Sequence, residues 1–277
     1  MPSKRQTLFV HPANPMLPFT DVLKEIYKLP LQEEQSSQHI TADYSFNQEH
    51  YRLTCHARIT QIGSDTAPTL IYLPWYGGKS IWFKRFLNLK QTNWTIVCID
   101  IFNTQDDFNK ILTNAVSSQY AYALVIRMIG EQINRAHKNH KRVGVVGFSY
   151  GANVLSAYIT QGLELPDAVV AVEGGSILDT TLYTKYQGND TDSKTLAILK
   201  EDPASLPLQK PLGEKAANIS AAVLNISDKV VLGQEELWKD SASKMYINGG
   251  HFTALLFNRS RVRGFMAKHL RELLVWE

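Results

Sequence analysis

Residues 142–153 read Arg-Val-Gly-Val-Val-Gly-Phe-Ser-Tyr-Gly-Ala-Asn and carry the strongest structural signal in the chain. The apolar run at 142–148 predicts a buried strand, and a helix is predicted at 152–161. The pattern Gly-x-Ser-x-Gly joins the two, with Ser149 at its centre. Its glycines leave room for a sharp turn, because a Cβ at either position would collide with the neighbouring strand or helix. We therefore expect a serine that is exposed on a strained turn.

Apolar strands alternate with helices along most of the chain. Besides the strand at 142–148, buried strands are predicted at 69–73, 95–101, 167–172, 221–226 and 244–247, and further helices at 79–89, 106–138 and 252–274. Continuous apolar strands are typical of a parallel sheet that helices cover on both faces. An alternating run at 51–59, joined to 40–46 by a turn, predicts an antiparallel hairpin at the N-terminal edge. The predicted fold class is therefore α/β, with a mostly parallel central sheet.

The chain is predicted to form a single domain at residues 40–277. Residues 1–39 are interpreted as an irregular N-terminal extension, because prolines interrupt its first half and only a short helix is indicated at 17–29. The connection between the strands at 167–172 and 221–226 is too long for an ordinary loop. We expect this connection to hold an inserted lid at residues 176–215.

Composition and charge exclude several classes of protein. Of the 277 residues, 44% are apolar and 20% are charged, which is typical of a globular chain. The net charge of +3 is small and is not concentrated on one face, so we expect no nucleic-acid partner. No apolar run approaches the ~18 residues that span a bilayer, and we expect no signal peptide in the first residues. Cys55 and Cys98 are predicted to be buried free thiols, which fits a cytoplasmic protein.

The Gly-x-Ser-x-Gly turn between a buried strand and a helix resembles the nucleophile elbow of the α/β-hydrolase superfamily. The resemblance covers about residues 65–277 and is to serine esterases and lipases with a lid insertion. It implies a catalytic serine, acid and histidine that follow one another in that order along the chain. A serine hydroxyl is a poor nucleophile until an imidazole takes its proton, and the imidazole needs a carboxylate that holds its tautomer.

The resemblance assigns these roles to particular residues. His251 lies between the last predicted strand and the last helix, where the superfamily places its histidine. His269, the other histidine after Ser149, is expected on the solvated face of that helix. Asp228 follows the fifth buried strand and is the first candidate acid. Glu173, at the end of the preceding strand, is the alternative acid, because some members of the superfamily carry theirs there.

The resemblance also implies an oxyanion hole, in which two backbone N–H groups stabilise the charge on the reacting carbonyl oxygen. Tyr150, directly after the serine, is expected to supply one of them. The loop after the strand at 69–73 reads Pro74-Trp-Tyr-Gly-Gly and should supply the other. Tyr76 is the expected donor and Trp75 the alternative, because proline has no N–H. Pro74 and Trp75 replace the His-Gly of the superfamily, so this loop departs from its pattern.

The sequence thus predicts a serine hydrolase that cleaves an ester-type acyl bond through Ser149, His251 and Asp228 and an acyl-enzyme intermediate. A carboxylesterase is the first hypothesis, acting on a mainly apolar acyl or alcohol group, since the predicted lid carries apolar and aromatic side chains. A thioesterase and a non-catalytic binding protein of the same fold are the alternatives. No cofactor or metal is expected. The expected partner is a small-molecule ester or thioester, and the sequence leaves the oligomeric state open.

Overall fold

The computed structural model describes residues 18–46, 49–61, 66–75, 94–103, 115–175, 212–228, 231 and 233–274. In this part of the chain, nine strands form one sheet. The strands are β1 (Gln32–Glu34), β2 (Ser37–Phe46), β3 (Glu49–Gln61), β4 (Thr69–Leu73), β5 (Thr95–Asn103), β6 (Val143–Phe148), β7 (Ala168–Val172), β8 (Ser220–Asn225) and β9 (Ser243–Ile247). The helices are α1 (Phe19–Lys28), α2 (Ala115–Lys138), α3 (Tyr150–Thr160), α4 (Glu214–Asn218), α5 (Gln234–Leu237) and α6 (His251–Leu274).

The strands follow the order β1-β2-β3-β5-β4-β6-β7-β8-β9 across the sheet. The pairs β1–β2, β2–β3 and β3–β5 are antiparallel, and every later pair is parallel. The predicted α/β class, with a mostly parallel sheet and an antiparallel N-terminal edge, is therefore confirmed. The predicted hairpin corresponds to β2 and β3. The strand β1 is not predicted from the sequence, because Gln-Glu-Glu has neither an apolar run nor alternation.

The central strands are buried on both faces, which explains their continuous apolar runs. Every residue of β4, β6, β7 and β8 is buried. Successive side chains alternate between two apolar clusters, as the strand geometry requires. Val143 and Val145 of β6 belong to the cluster that contains α1, α2 and α3. Val146 and Phe148 belong to the cluster on the opposite face, which contains α6.

Residues 18–39 differ from the irregular extension that the sequence predicts. They contain α1, where a short helix is indicated, together with β1 and the start of β2. Phe19 and Ile26 of α1 are buried in the same cluster as α2. Arg127 of α2 is also buried and donates hydrogen bonds to the carbonyl oxygens of Ile26 and Leu29. Because the last carbonyl groups of a helix lack partners within it, this guanidinium joins the end of α1 to α2.

Several sequence predictions fall outside the described residues. They include the helix at 79–89, the first part of the helical region at 106–138, and the predicted lid at 176–215 up to residue 211. The end of the predicted lid contains the start of α4. The prediction for the cysteines is confirmed, because Cys55 and Cys98 are both buried thiols that form no disulfide in the described part of the chain. Within the described ranges, no helix is both long enough and apolar enough to cross a membrane.

Candidate active site

Ser149 turns the chain from β6 into α3. Its φ of 49° and ψ of −113° lie in a region that L-residues avoid. Such a conformation costs about 1–3 kcal/mol and persists only when its surroundings hold it. Here the backbone N–H donates to the carbonyl oxygen of Val172 in β7 at 2.8 Å. A serine before a helix often caps it with its hydroxyl, but Ser149 makes no side-chain cap hydrogen bond. Its hydroxyl is therefore available for another partner.

The glycines on either side of Ser149 allow this turn to pack closely. A Cβ on Gly147 would lie 2.6 Å from the backbone nitrogen of Ala152. A Cβ on Gly151 would overlap the carbonyl oxygen of Leu73 at the end of β4. The steric need for glycine at both positions, which the sequence predicts, is thus confirmed.

His251 is the partner of the Ser149 hydroxyl. Its Nε2 lies 2.8 Å from Oγ of Ser149. His251 is the first residue of α6, and the chain reaches it through Gly249, whose φ of 136° favours glycine. The imidazole is buried against its neighbours, with 6% of the residue exposed. The two side chains meet at the edge of the sheet where the parallel strands end.

Asp228 holds the other nitrogen of the same ring. Its Oδ2 lies 2.7 Å from Nδ1 of His251. The same oxygen accepts a hydrogen bond from Nε2 of Gln234 at 3.0 Å, and Oδ1 accepts one from the backbone N–H of Val231 at 3.3 Å. Three donors thus surround this carboxylate. The structure therefore brings Ser149, His251 and Asp228 together as one hydrogen-bonded chain.

Glu173 places a second carboxyl group beside the same ring. It directly follows β7, has a φ of 52°, and is fully buried. Its Oε1 accepts a hydrogen bond from Nδ2 of Asn225 at 2.8 Å. Its Oε2 lies 3.8 Å from Nδ1 of His251 and is buried, with no hydrogen-bond partner in the described part of the chain. Of the two candidate acids, Asp228 is thus within hydrogen-bond distance of His251, and Glu173 lies just beyond it.

Burial and charge shift the titration of this cluster. Burial raises the pKa of Glu173 from its ordinary value of 4.5 to about 7, although the charge of His251 and the hydrogen bond from Asn225 oppose the shift. For His251, burial is the largest single influence and lowers the pKa. The hydrogen bond to Asp228 and the negative charges of Glu173 and Asp228 together outweigh it, so the pKa of His251 is raised above 6.5. The site therefore favours a ring that accepts a proton.

Two of the three candidate oxyanion donors, Tyr150 and Trp75, lie in the described part of the chain. Tyr150 is the first residue of α3, where backbone N–H groups have no acceptor within the helix. A Cβ on Gly151 would lie 2.7 Å from the carbonyl oxygen of Pro74, so the helix start packs against the chain that leaves β4. Trp75 follows on that chain and is half-buried against the apolar cluster of α6. Tyr76 lies outside the described residues, so the roles of these donors stay predictions.

The structure also shows residues that sequence reasoning did not identify. Asn225 joins Glu173 to the loop before α6, because its Nδ2 also contacts the carbonyl oxygen of Gly249 at 3.1 Å. Gln234 joins Asp228 to the end of β8 by accepting from the backbone N–H of Asn225 at 2.9 Å. A polar residue at the end of an apolar strand was an available signal for Asn225, whereas Gln234 had none.

The prediction for His269 is wrong. This histidine was expected on the solvated face of α6, but it is buried, with 6% of the residue exposed. Its Nε2 lies 3.1 Å from the carbonyl oxygen of Ile219. A residue at the end of a long helix can lie on either face, and packing against the chain before β8 decides its side.

Within the described part of the chain, one group of side chains has the spacing of a metal site. Glu173, Asp228 and His251 each offer one ligand atom, and these atoms lie within 4.8 Å of one another. Both ring nitrogens of His251 already have hydrogen-bond partners, Ser149 on one side and Asp228 on the other. The hydrogen bonds therefore account for this arrangement without an ion.

No protein-family model matches the chain, and no curated protein matches it significantly. Solved structures do match. A carboxyl esterase 2 from the mycorrhizal fungus Tuber melanosporum matches with a TM-score of 0.53 and 12% identity, over 94% of this chain and 99% of that chain. A carboxylesterase structure from the thaumarchaeon Nitrososphaera gargenis matches with a TM-score of 0.50 and 12% identity, over 88% and 100%. A peroxisomal alpha-beta-hydrolase from Saccharomyces cerevisiae matches with a TM-score of 0.50 and 12% identity, over 86% and 89%.

At these identities the likeness concerns the fold. The sheet order and the turn at Ser149 agree with it, because a strand, a sharp turn and a helix carry the serine at the carboxyl end of the sheet. This chain therefore has the α/β-hydrolase fold, the fold of the superfamily that its sequence resembles.

Proposed function

We propose that the protein is a serine hydrolase that cleaves an ester-type acyl bond. One observation carries the proposal, namely the hydrogen-bonded chain from Ser149 through His251 to Asp228 at 2.8 and 2.7 Å. Its serine lies on a strained turn that keeps the hydroxyl out of helix capping. A serine, a buried histidine and a buried carboxylate in this order have the geometry of an activated nucleophile.

Each group has a defined role in this mechanism. Oγ of Ser149 attacks the substrate carbonyl carbon while Nε2 of His251 takes the hydroxyl proton. Asp228 holds the ring in position and stabilises the imidazolium. The tetrahedral intermediate collapses to an acyl-enzyme as His251 gives the proton to the leaving alcohol. Water then attacks the acyl group with His251 as base, and the acid product leaves Ser149.

The negative charge of the tetrahedral intermediate needs donors close to Ser149. The backbone N–H of Tyr150 at the start of α3 is our first candidate, and Tyr76 or Trp75 the second. One donor of this kind typically contributes about 10²- to 10³-fold to the rate. The contact between the helix start and the backbone of Leu73 and Pro74 supports this placement, because it puts both chain segments beside the serine.

The proposed substrate is a carboxylic ester, with a mainly apolar acyl or alcohol group. The names of two structural relatives support the ester class, since one is a carboxyl esterase and another comes from a study of carboxylesterases. A thioester remains the second substrate to test. Neither assignment needs a cofactor, because all proton transfers are between the substrate, water, Ser149 and His251.

Labelling with a fluorophosphonate probe tests the proposal. Such a probe reacts with a serine only when its surroundings activate it. We expect the wild-type protein to be labelled and Ser149→Ala not to be. Ser156→Ala is the matched control, because Ser156 is buried in the same helix, and this variant should label like the wild type.

Turnover of p-nitrophenyl esters and matched thioesters of increasing chain length then defines the substrate. Ser149→Ala is expected to lower kcat/KM by about 10³- to 10⁶-fold, because triad residues act as one unit. An unlabelled wild-type protein, or equal turnover by the wild type and Ser149→Ala, would refute the proposed function and favour a binding protein of the same fold.

A further inference from the structure

Glu173 is a buried carboxyl group that the proposed mechanism does not use. It is fully buried, and its Oε2 has no hydrogen-bond partner among the residues that the structure describes. A buried polar atom without a partner is costly, so its retention needs an explanation. Oε2 lies 3.8 Å from Nδ1 of His251, the nitrogen that Asp228 holds. A movement of about 1 Å would bring this oxygen within hydrogen-bond distance of the ring.

We propose that Glu173 is a positioning residue for His251, a second carboxyl group that supports the ring beside Asp228 and takes over part of its role when Asp228 is lost. The inference rests on the proposed function of Ser149 and His251. It adds a fourth side chain to the three that the mechanism requires.

The backbone around Glu173 holds this carboxyl group in place. Its left-handed φ of 52° is unfavourable for a residue with a side chain, and its N–H donates to the carbonyl oxygen of Val223 at 2.9 Å. The next residue, Gly174, packs so tightly that a Cβ there would overlap that of Ala152 in α3. The strained turn after β7 therefore lies against α3, the helix that begins directly after Ser149.

Asn225 links Glu173 to the segment that carries His251. Its Nδ2 contacts Oε1 of Glu173 at 2.8 Å and the carbonyl oxygen of Gly249 at 3.1 Å. Gly249 lies two residues before His251 in the chain. One amide group thus fixes both the carboxyl group and the loop that positions the ring. This arrangement orients Oε2 of Glu173 toward the same ring nitrogen as Asp228.

The two carboxyl groups differ in the number of hydrogen bonds that they accept. Asp228 accepts from His251, Gln234 and the backbone of Val231. Within the described residues, Glu173 accepts a hydrogen bond from Asn225 only. The titratable groups that act on Glu173 from the surrounding described elements are His251 at the start of α6 and Asp228 after β8. Because burial raises the pKa of Glu173 to about 7, its charge changes near neutral pH, and its ionised form favours a protonated His251.

An NMR titration of the His251 ring tests this inference without turnover. The variants are Glu173→Gln, Asp228→Asn and the double variant. Glutamine keeps an oxygen for Asn225, removes the charge and replaces the other oxygen by an NH2 group of similar size. We expect Glu173→Gln to move the midpoint of the His251 titration to lower pH by about half a pH unit or more. Glu164→Gln is the matched control, because Glu164 contacts His137 at 2.5 Å on the surface, and this variant should leave the His251 titration unchanged.

Kinetics then test whether Glu173 replaces Asp228. Asp228→Asn should retain Ser149-dependent turnover at pH 8.5, and adding Glu173→Gln should lower its kcat/KM by a further ~10-fold, whereas Glu173→Gln alone costs less than ~3-fold. A His251 titration that Glu173→Gln does not move, or a double variant equal to Asp228→Asn, overturns the inference. Absence of Ser149-dependent turnover in the wild type refutes the proposed function instead, and the ring titration still decides the role of Glu173.

A second measurement covers the case in which Glu173→Gln does not fold. The side-chain carboxyl carbon of Glu173 can be followed by ¹³C NMR in the wild-type protein. Mutual interaction predicts two inflections in its titration, one of which coincides with that of the His251 ring. A single inflection that does not coincide with the titration of the His251 ring overturns the inference.

Discussion

β6 and β7 carry a cluster of acidic and histidine side chains at each of their ends. Beyond their carboxyl ends lies the site cluster, which consists of Ser149, Glu173, Asp228 and His251. Beside their amino ends lies the N-terminal cluster, which consists of His137, Arg142, Glu164 and Asp167. There, His137 contacts both carboxylates at 2.5 and 3.3 Å, and Arg142 donates to Asp167 at 2.7 Å. In each cluster one histidine lies close to two carboxyl groups, which face different ring nitrogens of His137 but the same ring nitrogen of His251.

Both clusters contain a histidine, a glutamate and an aspartate, and these three side chains differ between the clusters in how deeply they are buried. In the N-terminal cluster the side chains of His137, Glu164 and Asp167 are 28%, 50% and 18% exposed. In the site cluster the side chains of His251, Glu173 and Asp228 are 5%, 0% and 0% exposed. Solvent screens the first set, so such ion pairs contribute up to about 1 kcal/mol to stability. In the second set little water competes, so each charge acts strongly on its neighbours.

The largest expected difference between the clusters concerns their aspartates. Asp228→Asn should lower kcat/KM for ester hydrolysis by about 10²- to 10⁴-fold, because the amide holds the wrong tautomer of His251 and stabilises its charge poorly. Asp167→Asn makes the same chemical change at the amino end of β7, in the N-terminal cluster. It should leave kcat/KM within about twofold, since a surface ion pair does not reach the serine. Steady-state kinetics on the three proteins measures both effects.

This comparison fails if the two variants lose similar activity. Loss of activity in Asp167→Asn would mean that the N-terminal cluster supports the site through the strands. Full activity in Asp228→Asn would remove Asp228 from the proposed mechanism.

The glycines at the two ends of α3 allow a similar comparison between a tightly packed position and an open one. A Cβ on Gly151, at the site end, overlaps backbone oxygen atoms of Leu73 and Pro74. Gly162, just past the other end, has a φ of 68° but nothing within 4 Å of a Cβ. Gly151→Ala should therefore lower the free energy of unfolding by about 3 kcal/mol. Gly162→Ala should lower it by only about 1 kcal/mol, because it strains the backbone without a collision.

Urea denaturation of the two glycine variants measures these free energies. Equal effects at the two positions would show that the turn after β6 has room for a side chain. Because the wild type is the shared reference, the difference between the variants is the informative quantity.

The smallest expected effect is a pH dependence of stability. Burial raises the pKa of Glu173 to about 7 in the folded protein, above its ordinary 4.5, so the folded state binds this proton more tightly than the unfolded chain does. The stabilising contribution is therefore complete at acid pH and is lost as the pH rises from about 4.5 to about 7. Glu173→Gln removes this loss. The Tm of this variant minus the Tm of the wild type should therefore be higher at pH 8 than at pH 5, by about 2–4 °C.

Glu164→Gln supplies the control for this measurement. Its carboxyl group is half-exposed in the N-terminal cluster, so its Tm relative to the wild type should change little between the same two pH values. Thermal melts of the wild type and both variants suffice. A Glu173→Gln variant whose relative Tm is the same at both pH values would contradict the cost that we assign to ionising the buried carboxyl group.

Local sequence patterns were enough to predict most of the sheet and the place of the serine. Apolar runs predicted β4 to β8, because strands buried on both faces cannot carry exposed polar positions. The strand β9 was also predicted, but as a buried strand, and this is wrong because Lys244 and Tyr246 at the edge of the sheet are exposed. The glycines around Ser149 indicated the sharp turn, because backbone conformation and close packing depend on residues adjacent in the chain. His251 and Asp228 were predicted from their positions after strands, and parallel strands bring such positions to one edge. The catalytic roles of these residues stay predictions.

Contacts between distant parts of the chain could not be predicted from local sequence patterns. The sequence left Asp228 and Glu173 as alternative acids, because each follows a buried strand. The pairing of β7 with β8 and the left-handed turn at Glu173 place one carboxyl oxygen 2.7 Å and the other 3.8 Å from the same ring nitrogen. The burial of His269, the link through Asn225 and the antiparallel edge at β1 likewise depend on which elements pack together. The periodicity of a sequence indicates which face of a single helix or strand is buried. The hydrogen bonds and charges of a buried site depend instead on neighbouring residues that only folding brings together.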